Sequence, residues 1–133
     1  MGRSILSVLA GYVSMSILTI ATLTALGFAV PEALHEDEAR IDPPWDKVML
    51  ASGFLWALVG GWIAARLASR AALGHAVGLA AFCLILWLPT MASAPVEQST
   101  GYQVTILFSM LAGVLGGGAL GAVQAARRAA TEE

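Results

Sequence analysis

The sequence predicts an all-α integral membrane protein, a bundle of four transmembrane helices in which residues 1–133 form one membrane domain. Three observations lead there. Of 133 residues, 58% are hydrophobic and only 12% charged, against about 25% charged in a soluble domain. The apolar residues fall in four runs, each of the roughly 20-residue length that crosses a bilayer as a helix. The charges then sort by side. With four spans, Arg3, Arg66, Arg70, Arg127 and Arg128 share one face of the membrane, while an acidic loop and Glu97 share the other. Three spans would spoil this alternation. The excess of arginine puts both termini and the middle link in the cytoplasm. That orientation, N-in and C-in, is expected of a multi-pass protein of the bacterial inner membrane, with the acidic loop facing outward. Arg40 and Lys47 lie outside within their acidic surroundings.

The first helix is expected over about residues 5–30, preceded by Arg3. A positive start and an apolar run also mark signal peptides. This run exceeds the about 7–15 residues of a signal core, and Gly27-Phe28-Ala29 is a weak cleavage site, so an uncleaved helix is expected. Ser4, Ser7, Ser14, Ser16, Thr19, Thr22 and Thr24 make it rich in hydroxyls. These are expected to bond to carbonyls one turn back or to neighbouring helices. The sharper reading is a polar track for a solute.

Pro31 ends this helix, and residues 31–47 form the one long polar segment. Six acids (Glu32, Glu36, Asp37, Glu38, Asp42 and Asp46) face Arg40 and Lys47 there. Glu32–Arg40 is expected to include a short helical piece with Pro31 near its first turn. Asp42-Pro43-Pro44 forces an extended or turning backbone. Trp45 is placed as an interfacial anchor, and Asp46 as the N-cap of the second helix.

The second helix is expected over about residues 48–67. Small residues recur along it at every fourth position: Gly53, Ala57, Gly61 and Ala65. In lipid, that spacing lets helix backbones approach closely, so that packing holds helices together where the hydrophobic effect cannot. Trp62 lies one turn before Arg66, at the same interface. The link 68–72 is short enough to make the second and third helices antiparallel neighbours.

The third helix, about residues 73–91, carries Gly74, His75 and Gly78 near its start and Trp87 near its end. Pro89 is expected to bend or terminate it. After the polar link Ala92–Gly101, the fourth helix covers about residues 102–125, with Tyr102 at the interface. Gly113, Gly117 and Gly121 form a second four-residue stripe, flanked by Gly116 and Gly118. Each glycine costs roughly 1 kcal/mol of helix propensity in water, and a close helix contact is the expected compensation. The two stripes are expected to mate with each other. Their sharper meaning would be an interface in a homo-oligomer or a larger membrane complex.

Candidate chemistry is sparse. No Asp, Glu, Lys, Arg or His occurs in residues 5–30, 48–65, 76–91 or 102–126. An ionisable group inside the bilayer is the usual mark of transport or catalysis, so the pattern weighs against an ion-coupled transporter or an intramembrane protease. No catalytic, cofactor-binding or metal-binding residue is assigned. His35-Glu36-Asp37-Glu38 holds possible cation ligands but lacks the spacing of a calcium loop or a zinc helix, and reads as a solvated loop. Arg66, Arg70, Arg127 and Arg128 set topology and can meet the headgroups of membrane lipids. His75 can serve as a pH-sensitive or headgroup contact, and reads more simply as an interfacial residue. Cys83, the single cysteine, is an apolar filler. No nucleic-acid motif or basic tract is present.

At Gly60–Ala76, GGWIAARLASRAALGHA, the chain resembles a loose group of small, uncharacterised bacterial membrane proteins. In these, a second helix ends in Gly-Gly-aromatic-x-Ala-Ala-Arg and a His-Ala pair follows. Gly60, Gly61, Trp62, Ala64, Ala65, Arg66, His75 and Ala76 carry the match. The resemblance implies a four-helix integral membrane protein and brings no catalytic residues. The expected role is therefore non-enzymatic: a structural or accessory subunit, or a self-associating membrane protein. The alternative is a small permease or channel subunit for a polar solute, lined by the first helix's hydroxyls.

Overall fold

The computed structural model describes residues 2–35, 40–41, 43–68, 71–92 and 100–131. Four helices account for nearly all of them: α1 (Gly2–Ala29), α2 (Trp45–Leu67), α3 (Ala72–Ala92) and α4 (Thr100–Thr131). Each contains a stretch long and apolar enough to cross a membrane. In hydrocarbon a helix satisfies its backbone polar groups within itself, so apolar runs of this length have one stable form. The bundle is apolar outside as well as inside. Ile5, Leu6, Ile17, Ile20, Phe28, Ile85 and Phe108 are all more than half exposed, a surface suited to lipid rather than water.

The helices do not pack in simple chain order. The most extensive contact joins α2 to α4, followed by α1 to α2 and α3 to α4. Successive contacts give the directions. Gly113 meets Ala57, Gly117 meets Leu58 and Gly121 meets Ala65, so α2 and α4 run parallel. Gly11 meets Gly60 while Trp56 bonds Thr22, so α1 and α2 are antiparallel. Val8 meets Gly78 and Cys83 lies against Met15, so α1 and α3 are parallel. The neighbours around the bundle are thus α1, α2, α4 and α3. Although the α2–α3 link is short, α2 packs far more closely on α4 than on α3. The contact between α1 and α4 is minimal.

One end of the bundle holds the start of α1, Arg66 and the last turns of α4, and is here the arginine end. The other holds the segment between α1 and α2, and is here the loop end. The buried core (Met15, Ala57, Ala64, Leu79, Ala80, Cys83 and Val114) lies from mid-bundle toward the arginine end. Cys83 is a buried filler, its sulfur 4.0 Å from that of Met15.

Three local expectations are corrected, and the place of Pro89 is refined. Pro31–Ala33 forms a single 3-10 turn, and Leu34–His35 (β1) pairs antiparallel with Arg40–Ile41 (β2), in place of a short helix from Glu32 to Arg40. A helix that short does not offset its nucleation cost, and the strand pairing satisfies backbone groups instead. Asp46 lies within the first turn of α2, with Pro44 at the N-cap position and no side-chain cap. The Asp46 carboxylate accepts from the Lys47 backbone N–H at 2.7 Å. Pro89 sits inside α3, which continues to Ala92. Only the hydrogen bond to the Ile85 carbonyl is forgone so near the helix end. Finally, α4 runs on through Arg127 and Arg128 to Thr131, because the alanine-rich tail keeps high helix propensity beyond the apolar span.

The start of α3 is fixed locally. Ala71 takes a positive φ of 52°, a left-handed conformation that costs an alanine roughly 1–2 kcal/mol. In that position its carbonyl accepts the His75 backbone N–H at 3.3 Å and lies 3.0 Å from His75 Nδ1. The histidine expected as an interfacial contact therefore brackets the first turn of its own helix.

Candidate functional site

Two features stand out: a seam of small residues between α2 and α4, and a cavity at the loop end of the same helices. The seam exists because neither helix presents side chains there. A methyl carbon placed on Gly113 would lie 2.7 Å from the Phe54 carbonyl oxygen and 2.8 Å from Ala57 Cβ. On Gly121 it would lie 2.8 Å from Ala65 Cβ and 3.3 Å from the Trp62 carbonyl oxygen. On Gly117 it would strike the Leu58 carbonyl oxygen, and on Gly61 that of Val114. Carbonyl oxygens and Cα atoms meet at this range only when both partners lack bulk.

The seam is reciprocal. Gly61 abuts the Val114 backbone as Gly117 abuts that of Leu58. One offset along the chain relates Ala57 to Gly113, Leu58 to Val114, Gly61 to Gly117 and Ala65 to Gly121. The two parallel helices therefore pair with local two-fold symmetry, as two copies of a small-xxx-small helix would, but within one chain.

Gly53 departs from the expected stripe. A methyl carbon there would meet nothing within 4 Å, because Gly53 borders the cavity rather than α4. Its role as a packing residue is therefore withdrawn, and Ala57 to Ala65 is the part of the α2 stripe in the seam. The same contacts bring in residues that the stripe did not include. A methyl carbon on Gly11 would lie 2.6 Å from the Gly60 carbonyl oxygen and 3.0 Å from Ala64 Cβ, so α1 lies almost on the backbone of α2. Gly118 abuts Ala76 of α3. Gly60 and Gly118 each sit next to a stripe residue, and that doubling of glycine was their signal. Gly11 has no glycine beside it or one turn away and gave none.

At the arginine end, polar groups close the seam. The Trp62 indole N–H donates to Gln124 Oε1 at 2.9 Å, joining α2 to α4. The Arg66 guanidinium carbon lies 4.8 Å from the centroid of the Trp62 ring, a cation–π contact. Arg127 and Arg128 are exposed on the last turns of α4. Arg70 and the acidic cluster Glu36-Asp37-Glu38 lie outside the described residues.

Four of the seven hydroxyls of α1 are engaged by their own helix. Ser7, Ser14, Thr19 and Thr22 donate to the carbonyls of Ser4, Ala10, Met15 and Leu18 at 2.7–2.9 Å. Thr22 also accepts the Trp56 indole N–H at 2.9 Å, tying α1 to α2.

Toward the loop end the helices part around a cavity of about 330 Å³. All four helices contribute to its wall, and Ile41 of β2 reaches it from the loop. Tyr102, expected at the interface, borders it, with its hydroxyl donating to the Asp46 carbonyl at 3.4 Å.

Fold and seam together define a multi-pass four-helix membrane bundle built on an internal parallel helix pair. No known family model, curated protein or solved structure matches the chain.

Proposed function

We propose that this chain is a non-enzymatic protein of the bacterial inner membrane, with both termini cytoplasmic, that serves as a structural or accessory subunit. In this it would join the small bacterial membrane proteins that it resembles at Gly60–Ala76. The carrying observation is that the small-residue seam is consumed inside one chain. The bundle is then complete as a monomer, and its outer face is left to lipid and partner helices. Residues 5–30, 48–65, 76–91 and 102–126 hold no Asp, Glu, Lys, Arg or His, which supports a role without acid–base chemistry or ion coupling. Four of the seven hydroxyls of α1, those of Ser7, Ser14, Thr19 and Thr22, donate to carbonyls of their own helix, which favours this reading over a solute track. The C-terminal ends of both seam helices carry arginine, on the same side of the bundle, which supports the cytoplasmic assignment.

The test is purification of the tagged chain from native membranes in mild detergent. A stoichiometric partner chain on a particle larger than the monomer is expected. An isolated monomer that supports solute flux in vesicles, lost in Thr19→Val or Ser16→Val, would replace this reading with the permease. A reporter fused after Arg128 should be cytoplasmic, and a periplasmic signal would overturn the orientation.

A further inference from the structure

The cavity at the loop end has the chemistry of a small-molecule site. We propose that it binds an uncharged, lipid-soluble molecule with a planar ring and a hydrogen-bonding oxygen, the chemistry of the quinones.

Its volume of about 330 Å³ falls at the small end of the roughly 300–1,000 Å³ typical of ligand pockets. A substituted ring fits that space, and a two-chain phospholipid does not. Among the described residues, no acidic or basic side chain borders it. A charged ligand would lose its hydration with nothing to offset the loss, so the occupant is neutral.

The wall favours a ring over a plain acyl chain. Met15, Met49 and Met110 come from three different helices, and thioethers make favourable contacts with ring edges while adapting to shape. Phe54, Trp87 and Tyr102 add aromatic surfaces suited to offset or edge-on stacking. The Thr19 and Ser109 hydroxyls are the small polar groups in the wall. Thr19 donates to the Met15 carbonyl at 2.9 Å, leaving its oxygen able to accept. Ser109 brings a hydroxyl that can donate to a ligand oxygen.

Gly53 links the cavity to the sequence. It sits at seam spacing on α2 but has open space where a Cβ would be. A side chain there would fill the cavity without touching the seam. This proposal is independent of the subunit reading, because a site can exist whether or not the chain has a protein partner.

The experiment is titration of the full chain in lipid nanodiscs with decylubiquinone, read by quenching of tryptophan fluorescence. Saturable quenching is expected, with Trp87 in the cavity wall as the reporter. Gly53→Leu should raise the half-saturation concentration about tenfold or more by occupying the space. Ser109→Ala should raise it about three- to tenfold through loss of one hydrogen bond. Thermal unfolding of each variant is followed alongside, and Gly53→Leu should be at least as stable as the parent, since leucine is the better helix former. Partition-like quenching that never saturates would overturn the proposal, as would saturable quenching that Gly53→Leu and Ser109→Ala leave unchanged. Native mass spectrometry showing a phospholipid retained in the cavity and not displaced by the quinone would overturn it as well.

Discussion

The two halves of this bundle solve opposite problems with the same residue type. Toward the arginine end, Gly61, Gly117 and Gly121 bring backbones together until a single methyl group would collide with the facing helix. Toward the loop end, Gly53 faces open space, and the same helices part around a cavity. A glycine at helical spacing is therefore not a packing residue by itself. It becomes one where the facing helix presents its own small residue at the matching height. Gly117 has Leu58 and Trp62 backbone atoms against it, whereas Gly53 lies beyond the reach of the α4 stripe. The closed half fixes the fold, and the open half is free to hold something else.

That contrast can be broken by substitution. The largest effect is expected from Gly117→Leu, whose side chain would drive into the backbone of α2. A loss of about 3 kcal/mol or more is expected, read as failure to recover folded protein in detergent. Unaltered stability would mean that the seam is not closed. Next comes Gly113→Ala. Its added methyl meets a carbonyl oxygen rather than a flexible side chain, so about 1–3 kcal/mol should be lost in denaturant titration. The matched control at the open end, Gly53→Ala, should gain roughly 0.5–1 kcal/mol from helix propensity alone. A loss equal to that of Gly113→Ala would erase the distinction between the halves. Trp56→Phe removes the bond that ties α1 to α2 through Thr22, at a cost of about 1 kcal/mol. A double-mutant cycle with Thr22→Val should show that the two changes are not additive. The smallest effect is expected from Arg66→Gln. The side chain is exposed on the rim of the arginine end, and its contact with the Trp62 ring is worth about 0.5 kcal/mol. The variant should unfold almost as the parent does.

How much of this was legible in the sequence follows from which features are local. The four helices were legible because a long apolar run has one form in hydrocarbon. Ala57, Gly61 and Ala65 facing Gly113, Gly117 and Gly121 were legible because i, i+4 spacing puts them on one side of each helix. Gly53 was misread for the same reason: spacing places it on that side, but spacing does not say where the facing helix ends its contact. The close approach of Gly11 to Gly60 carried no repeat, and nothing in α1 alone distinguishes Gly11. The pairing of Leu34–His35 with Arg40–Ile41 was hidden because two-residue strands have no periodicity to read. The cavity was hidden for a deeper reason. It depends on how far four helices diverge, and no single segment encodes divergence. Only its ingredients, a bare glycine on α2 with methionines and aromatics at similar depth, were in view.

The central claim is that the two stripes close on each other within a single chain. A pair of cysteines at Ala65 and Gly121, in a Cys83→Ala background, tests it most directly. The Ala65 Cβ lies 2.8 Å from where a Gly121 Cβ would be, and a small outward shift reaches the roughly 3.5–4.5 Å of a disulfide. Oxidation in membranes should give a cross-link at monomer mass in nearly every molecule, and neither single cysteine should give a dimer. A cross-link found only at dimer mass would contradict the account. It would show that the seam joins two chains and not two helices of one.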